Sequence, residues 1–167
     1  MARNFLVDSN TIIYGSQQTD GSVAQWLLEA KPWVSSISLR ECLDDWPLAK
    51  HPRFASQRQW LELFFGEVQK HGRLIDATEP AILSRASALE AEGVQPDDAR
   101  IAATAELRQL TLLTADTRKN FVPRLLKLNQ QGRGNFLVLS YAYANREVFF
   151  GAVMELLNDE GTESGPQ

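Results

Sequence analysis

The sequence predicts an α/β fold of three layers: a mostly parallel sheet of about four or five strands, with helices on both faces. Three observations lead there. Short apolar runs rich in Val, Ile and Leu recur along the 167 residues, each too short for a buried helix and without polar alternation. Between them lie longer stretches with apolar residues at helical spacing. Ser, Asn, Pro and Gly mark the joints where helices should start and stop. Right-handed crossovers then bring the carboxyl ends of the strands to one edge, where ligands collect in open α/β sheets.

The elements follow in order. Phe5, Leu6 and Val7 form a buried strand that ends at Asp8. Ser9 and Asn10 favour a helix start, and Gly15 is expected to close that short helix. Residues 17–22 are turn-rich. A helix over 22–30 carries Val23, Trp26, Leu27 and Ala30 on one face, and Pro32 stops it. Residues 33–37 read as the second strand. Ser38 is expected to cap a helix from Leu39 to Trp46, ended by Pro47. Over 53–71, Trp60, Leu61, Phe64, Phe65 and Val68 recur at three and four; this broad stripe is either core packing or a dimer contact.

Residues 73–75 give a short third strand. Thr78 or Glu79 opens a helix to about Glu92, with Pro80 in its first turn and Gly93 at its end. Pro96 opens another through Leu107, whose Ala102, Ala103 and Ala105 let it lie close to a sheet. A strand over 110–114 runs to the edge near Asp116. A helix over 121–130, a turn over 131–135, a last strand over 136–139 and an amphipathic helix over 145–157 complete the chain. The organisation expected is a single domain over 1–158 and a disordered acidic tail over 159–167.

Composition excludes several classes. A hydrophobic fraction of 44% with 23% charged residues is that of a soluble globular domain. No run approaches about 18 apolar residues, so no membrane span is expected. The first residues lack the apolar core of a signal peptide, and Cys42 is alone, which excludes an intramolecular disulfide. Cytoplasmic residence is the expectation. A net charge of −4 excludes a protein held to nucleic acid by overall charge. Residues 117–135 nevertheless carry Arg118, Lys119, Arg124, Lys127 and Arg133 without an Asp or Glu. That run is either a solvated helix face or a contact for a phosphate backbone.

Four acids are placed by this layout at one sheet edge. Asp8 ends the first strand, Glu41 follows the second, Asp98 sits in the first turn of the alanine-rich helix and Asp116 lies just beyond the fourth strand. Each has a structural explanation of its own. Glu41 is spaced from Ser38 as in a capping box. Asp97 and Asp98 suit a helix amino terminus, and Asp8 or Asp116 can cap the next helix. Together they repel unless protonated or bound to a cation, and oxygen-only ligands suit Mg²⁺ or Mn²⁺. Such an ion can activate water and neutralise charge developing on a phosphodiester. His51 and His71 are isolated, no zinc pattern occurs, and no glycine-rich phosphate loop is present.

The motifs that carry these acids resemble the PIN-domain family. Phe5-Leu6-Val7-Asp8-Ser9-Asn10-Thr11-Ile12-Ile13 looks like its opening, and Ser36 to Cys42 like its second motif. Asp98 to Ala105 resembles the third and Leu112 to Phe121 the fourth, in the family's order over about residues 4–140. The resemblance implies a PIN-like fold and a Mg²⁺- or Mn²⁺-dependent ribonuclease acting on RNA. It further implies a VapC-type toxin of a toxin–antitoxin pair, homodimeric and blocked by an antitoxin protein. Carried over, Asp8, Glu41, Asp98 and Asp116 are the catalytic tetrad. Asp8, Asp98 and Asp116 hold metal, Asn10 and Thr114 support the site, and Arg118 and Lys119 contact RNA. The register to Ile101, Ala102 and Ala103 favours Asp98 over Asp97. The chain is longer than the shortest family members.

Two other readings stand beside this one. A PIN-like RNA- or protein-binding domain without catalysis keeps the fold and loses the chemistry. Val7-Asp8-Ser9-Asn10-Thr11 also resembles the nucleophile motif of haloacid dehalogenase-type phosphatases, which needs a second Asp where Asn10 stands.

Overall fold

A computed structural model describes residues 4–17, 21–45, 52–116, 118–140 and 151. The helix expected over 145–157, the tail over 159–167 and the segment around Trp46 and Pro47 lie outside them. The strands are β1 (Phe5–Val7), β2 (Trp33–Ser35), β3 (Leu74–Ile75), β4 (Thr111–Thr114) and β5 (Leu137–Ser140). The α-helices are α1 (Ser9–Gln17), α2 (Ser22–Ala30), α3 (Ser36–Arg40), α4 (Ala55–Lys70), α5 (Pro80–Ala91), α6 (Pro96–Leu107) and α7 (Val122–Gln130). The five strands make one sheet, ordered β3-β2-β1-β4-β5, and every pairing is parallel.

Period-two alternation sorts the strand residues onto two faces. Leu6 and Leu112 pack with Ile82, Leu89, Ile101 and Leu125 of α5, α6 and α7. Phe5, Val7, Val34 and Leu113 pack on the other side with Ile12, Leu27, Leu61 and Phe64 of α1, α2 and α4. The stripe on α4 is core: Leu61, Phe64, Phe65 and Val68 are buried, and half-buried Trp60 stacks on Phe64 at 5.2 Å.

Two boundaries differ from the sequence expectation. Gly15 does not end α1, which continues to Gln17. A Cβ at Gly15 would stand 2.7 Å from Leu27 Cδ1, so glycine is there to let α2 approach α1. The second strand stops at Ser35, and Ser35 rather than Ser38 caps α3, its hydroxyl accepting the Ile37 amide at 3.2 Å. The capping box expected between Ser38 and Glu41 therefore does not form. Ser38 is buried inside α3, and Glu41 opens a π-helical turn, Glu41–Asp45, that continues it. Such turns are frequent where a helix must re-aim a functional side chain.

Candidate functional site

Strand order reverses between β1 and β4, since the chain winds outward to β3 on one side and β5 on the other. The crevice at the carboxyl ends of that pair is the natural ligand position in such a sheet. The parallel register sets Val7 beside Leu113, so the next residues, Asp8 and Thr114, come side by side. The Thr114 hydroxyl donates to Asp8 Oδ2, and the Asp116 amide donates back to that hydroxyl at 3.0 Å. Asp8 Oδ1 accepts the Thr11 amide at 2.9 Å, so the acid also caps the first turn of α1.

The other acids arrive from helices. Glu41 accepts the Ser9 hydroxyl at 3.1 Å, and that hydroxyl also lies 3.0 Å from Ser38 Oγ. Ser9, a buried residue read from the sequence only as a helix start, thus ties the start of α1 to the end of α3. Asp98 enters from the first turn of α6, whose antiparallel run against β4 carries its amino terminus to the same edge. Its neighbour Asp97 pairs with Arg40 Nη2 at 2.5 Å. Asp8, Asn10, Glu41, Asp98 and Asp116 line one open cleft of about 540 Å³. Among the described residues no hydrogen bond joins Asn10 to any of the four acids; its exposed side chain only borders the cleft.

Arg118 is the cation of this cleft. Its Nε lies 3.0 and 2.9 Å from the two Asp116 oxygens, its amide 2.9 Å from Asp116 Oδ1, and its Nη2 2.5 Å from Asp98 Oδ2. Nη2 also donates to Asp116. Lys119 is exposed and does not line the cleft, Arg124 is half-buried and Lys127 is exposed. Arg133 pairs with Glu92 at the far side of α5. The basic run is therefore not one surface stripe: Arg118 faces the acids.

These contacts set the protonation tendencies. Burial pushes the Asp8 carboxyl above its ordinary range, against hydrogen bonds from Thr114 and Thr11. Burial also raises Glu41 and Asp98, with neighbouring acids adding to the rise and the Ser9 hydroxyl or Arg118 opposing it. Asp116 goes the other way: burial alone would raise it, but hydrogen bonds from the Arg118 side chain and amide hold it below the ordinary value. Three acids that resist ionisation beside one that favours it is a pattern typical of functional sites.

The donor set is all oxygen, which fits Mg²⁺ or Mn²⁺ in chemistry. As placed, no three carboxylate, histidine or cysteine side chains among the described residues stand together as ligands for one ion. In the same cleft the Arg118 guanidinium occupies oxygens of Asp98 and Asp116. The chemistry fits a cation, and the Arg118 contacts would have to open for Asp98 and Asp116 to bind one together.

No protein-family model matches the chain, and no curated protein does. Solved structures do. The chain is similar to VapBC2 of Rickettsia felis, bound to a DNA fragment from its promoter, at 18% identity and a TM-score of 0.55. That match covers 82% of this chain and 98% of the other. FitAcB of Neisseria gonorrhoeae is 26% identical with a TM-score of 0.51, covering 72% of this chain and 92% of that one. PAE2754 of Pyrobaculum aerophilum is 18% identical with a TM-score of 0.58, covering 95% and 92%. The all-parallel sheet, the order of its helices and these likenesses agree: the fold of this chain is that of a PIN domain.

Proposed function

We propose that the chain is a divalent-metal-dependent endoribonuclease, the toxin of a toxin–antitoxin pair. The observation that carries this reading is the convergence of Asp8, Glu41, Asp98 and Asp116, from four separate elements, on one open cleft at the switch point of the sheet. Asp8, Asp98 and Asp116 would hold Mg²⁺ or Mn²⁺, with Glu41 directed at the same space. The ion, when bound, lowers the pKa of water and offsets charge on a phosphodiester in displacement. The chain's own part is positional. Thr114 and the Thr11 amide fix the Asp8 carboxylate, Ser9 orients Glu41, and exposed Lys119, next in the chain to Arg118, would offer a cation to the RNA backbone. An antitoxin partner is proposed on the same likeness, as is a homodimer.

The test is cleavage of a labelled RNA by the purified protein with Mn²⁺ or Mg²⁺, against a chelator control. Cleavage that needs the metal and falls at least about a hundredfold in Asp116→Asn is expected, the scale of losing one key electrostatic group. Full activity in chelator, or in a folded Asp116→Asn protein, would sink the reading.

One observation favours a second reading, a PIN-like binding domain without catalysis: Arg118 neutralises Asp98 and Asp116 in place. Mn²⁺ binding without cleavage across several RNAs would support it. The phosphatase alternative is disfavoured by Asp8 itself, whose two oxygens are both engaged by hydrogen bonds in a nearly buried position. Absence of a trapped phosphoaspartate would dispose of it.

A further inference from the structure

Arg118 differs from the other paired arginines among the described residues in reaching acids that line the cleft. Arg85, Arg108 and Arg133 bind Glu106, Glu79 and Glu92, Arg58 binds Glu62, and Arg40 binds Asp45 and Asp97, none of which lines the cleft. Arg118 instead reaches two of the four clustered acids, and its partner Asp116 has a side chain only 6% exposed. Arg118 itself is half exposed, at 53%, so solvent lies open behind it. The guanidinium is thus held by the acids and not enclosed by the protein.

Resting on the metal-binding part of the function proposed above, we infer that Arg118 is a built-in competitor for the divalent cation, closing the metal-free site over Asp98 and Asp116 and swinging out when a cation enters. Two physical points carry this. Guanidinium and metal ion need the same carboxylate lone pairs, so Asp98 and Asp116 cannot serve both fully. A side chain pinned by fork-like hydrogen bonds on one end and open to water on the other has a short path between two states. Arg118 therefore does opposite things to two quantities. It stabilises the empty cleft by offsetting repulsion among Asp8, Asp98 and Asp116, and it weakens cation binding by the free energy needed to displace it.

The experiment is calorimetric titration of the purified protein with Mn²⁺ at fixed ionic strength, on wild type, Arg118→Ala and Arg118→Gln. Thermal melts are taken in chelator and in Mn²⁺. Both variants are expected to bind Mn²⁺ roughly tenfold more tightly, a modest factor because the half-exposed guanidinium is screened. Both should melt below wild type in chelator and gain more from added Mn²⁺. If Arg118→Ala is unfolded without metal, Arg118→Gln carries the comparison. Equal or weaker Mn²⁺ binding by the folded variants overturns the inference, as does the lack of Mn²⁺ binding in all three proteins. RNA cleavage by wild type, measured alongside, separates this from the proposed function. Metal-dependent cleavage with unchanged Mn²⁺ affinity in the variants overturns the role of Arg118 alone. Tighter Mn²⁺ binding without cleavage of any RNA supports that role and overturns the ribonuclease.

Discussion

Thr114 offers the sharpest probe of how the site is built. Its hydroxyl donates to Asp8 and accepts the Asp116 amide, so one group joins the two acids that flank the switch point. Replacement by Val keeps the shape of the fully buried side chain and removes only the hydroxyl. The bond to a carboxylate contributes about 1.5–3 kcal/mol, and a buried amide left without a partner costs about 1–3 kcal/mol. Thr114→Val should therefore lower stability by roughly 3 kcal/mol near neutral pH, within the total of a folded domain. The loss should depend on pH in a definite direction. Burial sets the Asp8 carboxyl above its ordinary value, and the Thr114 hydroxyl opposes that rise. A carboxyl whose folded pKa exceeds its unfolded one favours folding most below the unfolded pKa, and loses that contribution as pH climbs through the folded value. Removing Thr114 raises the folded value further, so the penalty grows as pH climbs through the wild-type folded value, above the ordinary carboxylate range. Urea unfolding of the metal-free proteins from about pH 4 to 8 reads both effects. A Thr114→Val protein within about 0.5 kcal/mol of wild type near neutral pH, or a deficit independent of pH, would refute the reasoning.

Other perturbations separate local effects from the site. Gly15→Ala should destabilise by about 1 kcal/mol or more, since its Cβ presses on buried Leu27, whereas Gly66→Ala on the open face of α4 should stabilise by up to about 1 kcal/mol. Urea midpoints of the two variants moving in the same direction would contradict this. Cys42 is buried and its thiol is pushed far above the ordinary range by that burial. It should resist alkylation in the native protein and react at the rate of global unfolding, as mass spectrometry can follow. In RNA cleavage, Asp98→Asn should abolish activity and Asp97→Asn should retain most of it, because Arg40 holds Asp97 outside the cleft. Equal losses in the two would contradict that distinction.

The sheet was readable because its central strands β1 and β4 are buried on both faces, which leaves short runs such as Phe5–Val7 and residues 110–113 without the polar alternation of a half-exposed strand. Helices α2 and α6 were readable to the residue, each between breaking residues: Gly21 and Pro32 around the first, Pro96 at the head of the second. The start of α3 was not. Ser35, Ser36 and Ser38 are equally good caps in sequence, and only the pairing of Ser35 with Ile75 in the sheet decides among them. Gly15 misled for a related reason: a glycine that ends a helix and one that admits a neighbouring helix look alike until the neighbour is placed. The acids were located by where strands end, which topology dictates. Arg118 was visible only as one cation in a basic run, because charge pattern says nothing about which side chain turns inward. Its spacing of two from Asp116 was the available signal, since that spacing also lets the backbone amide reach the carboxylate.

Whether these acids are there for structure can be argued acid by acid. Asp8 does cap α1 through the Thr11 amide, and Asp116 does fix its own turn through the Arg118 amide. A structural role therefore accounts for a carboxylate at both positions. It does not account for Glu41, which among the described residues reaches no backbone amide and is held by a serine hydroxyl from another helix. Nor does it account for Asp98, whose side chain points to Arg118 and caps no amide, while Gln95 precedes α6 without a side-chain cap. Burial raises both Glu41 and Asp98 and mutual repulsion adds to it, so each is unfavourable as a charge where it stands. A fold selected for stability alone would place uncharged residues at these two positions. Keeping ionisable groups there is the feature that a site for a cation explains and a helix cap does not.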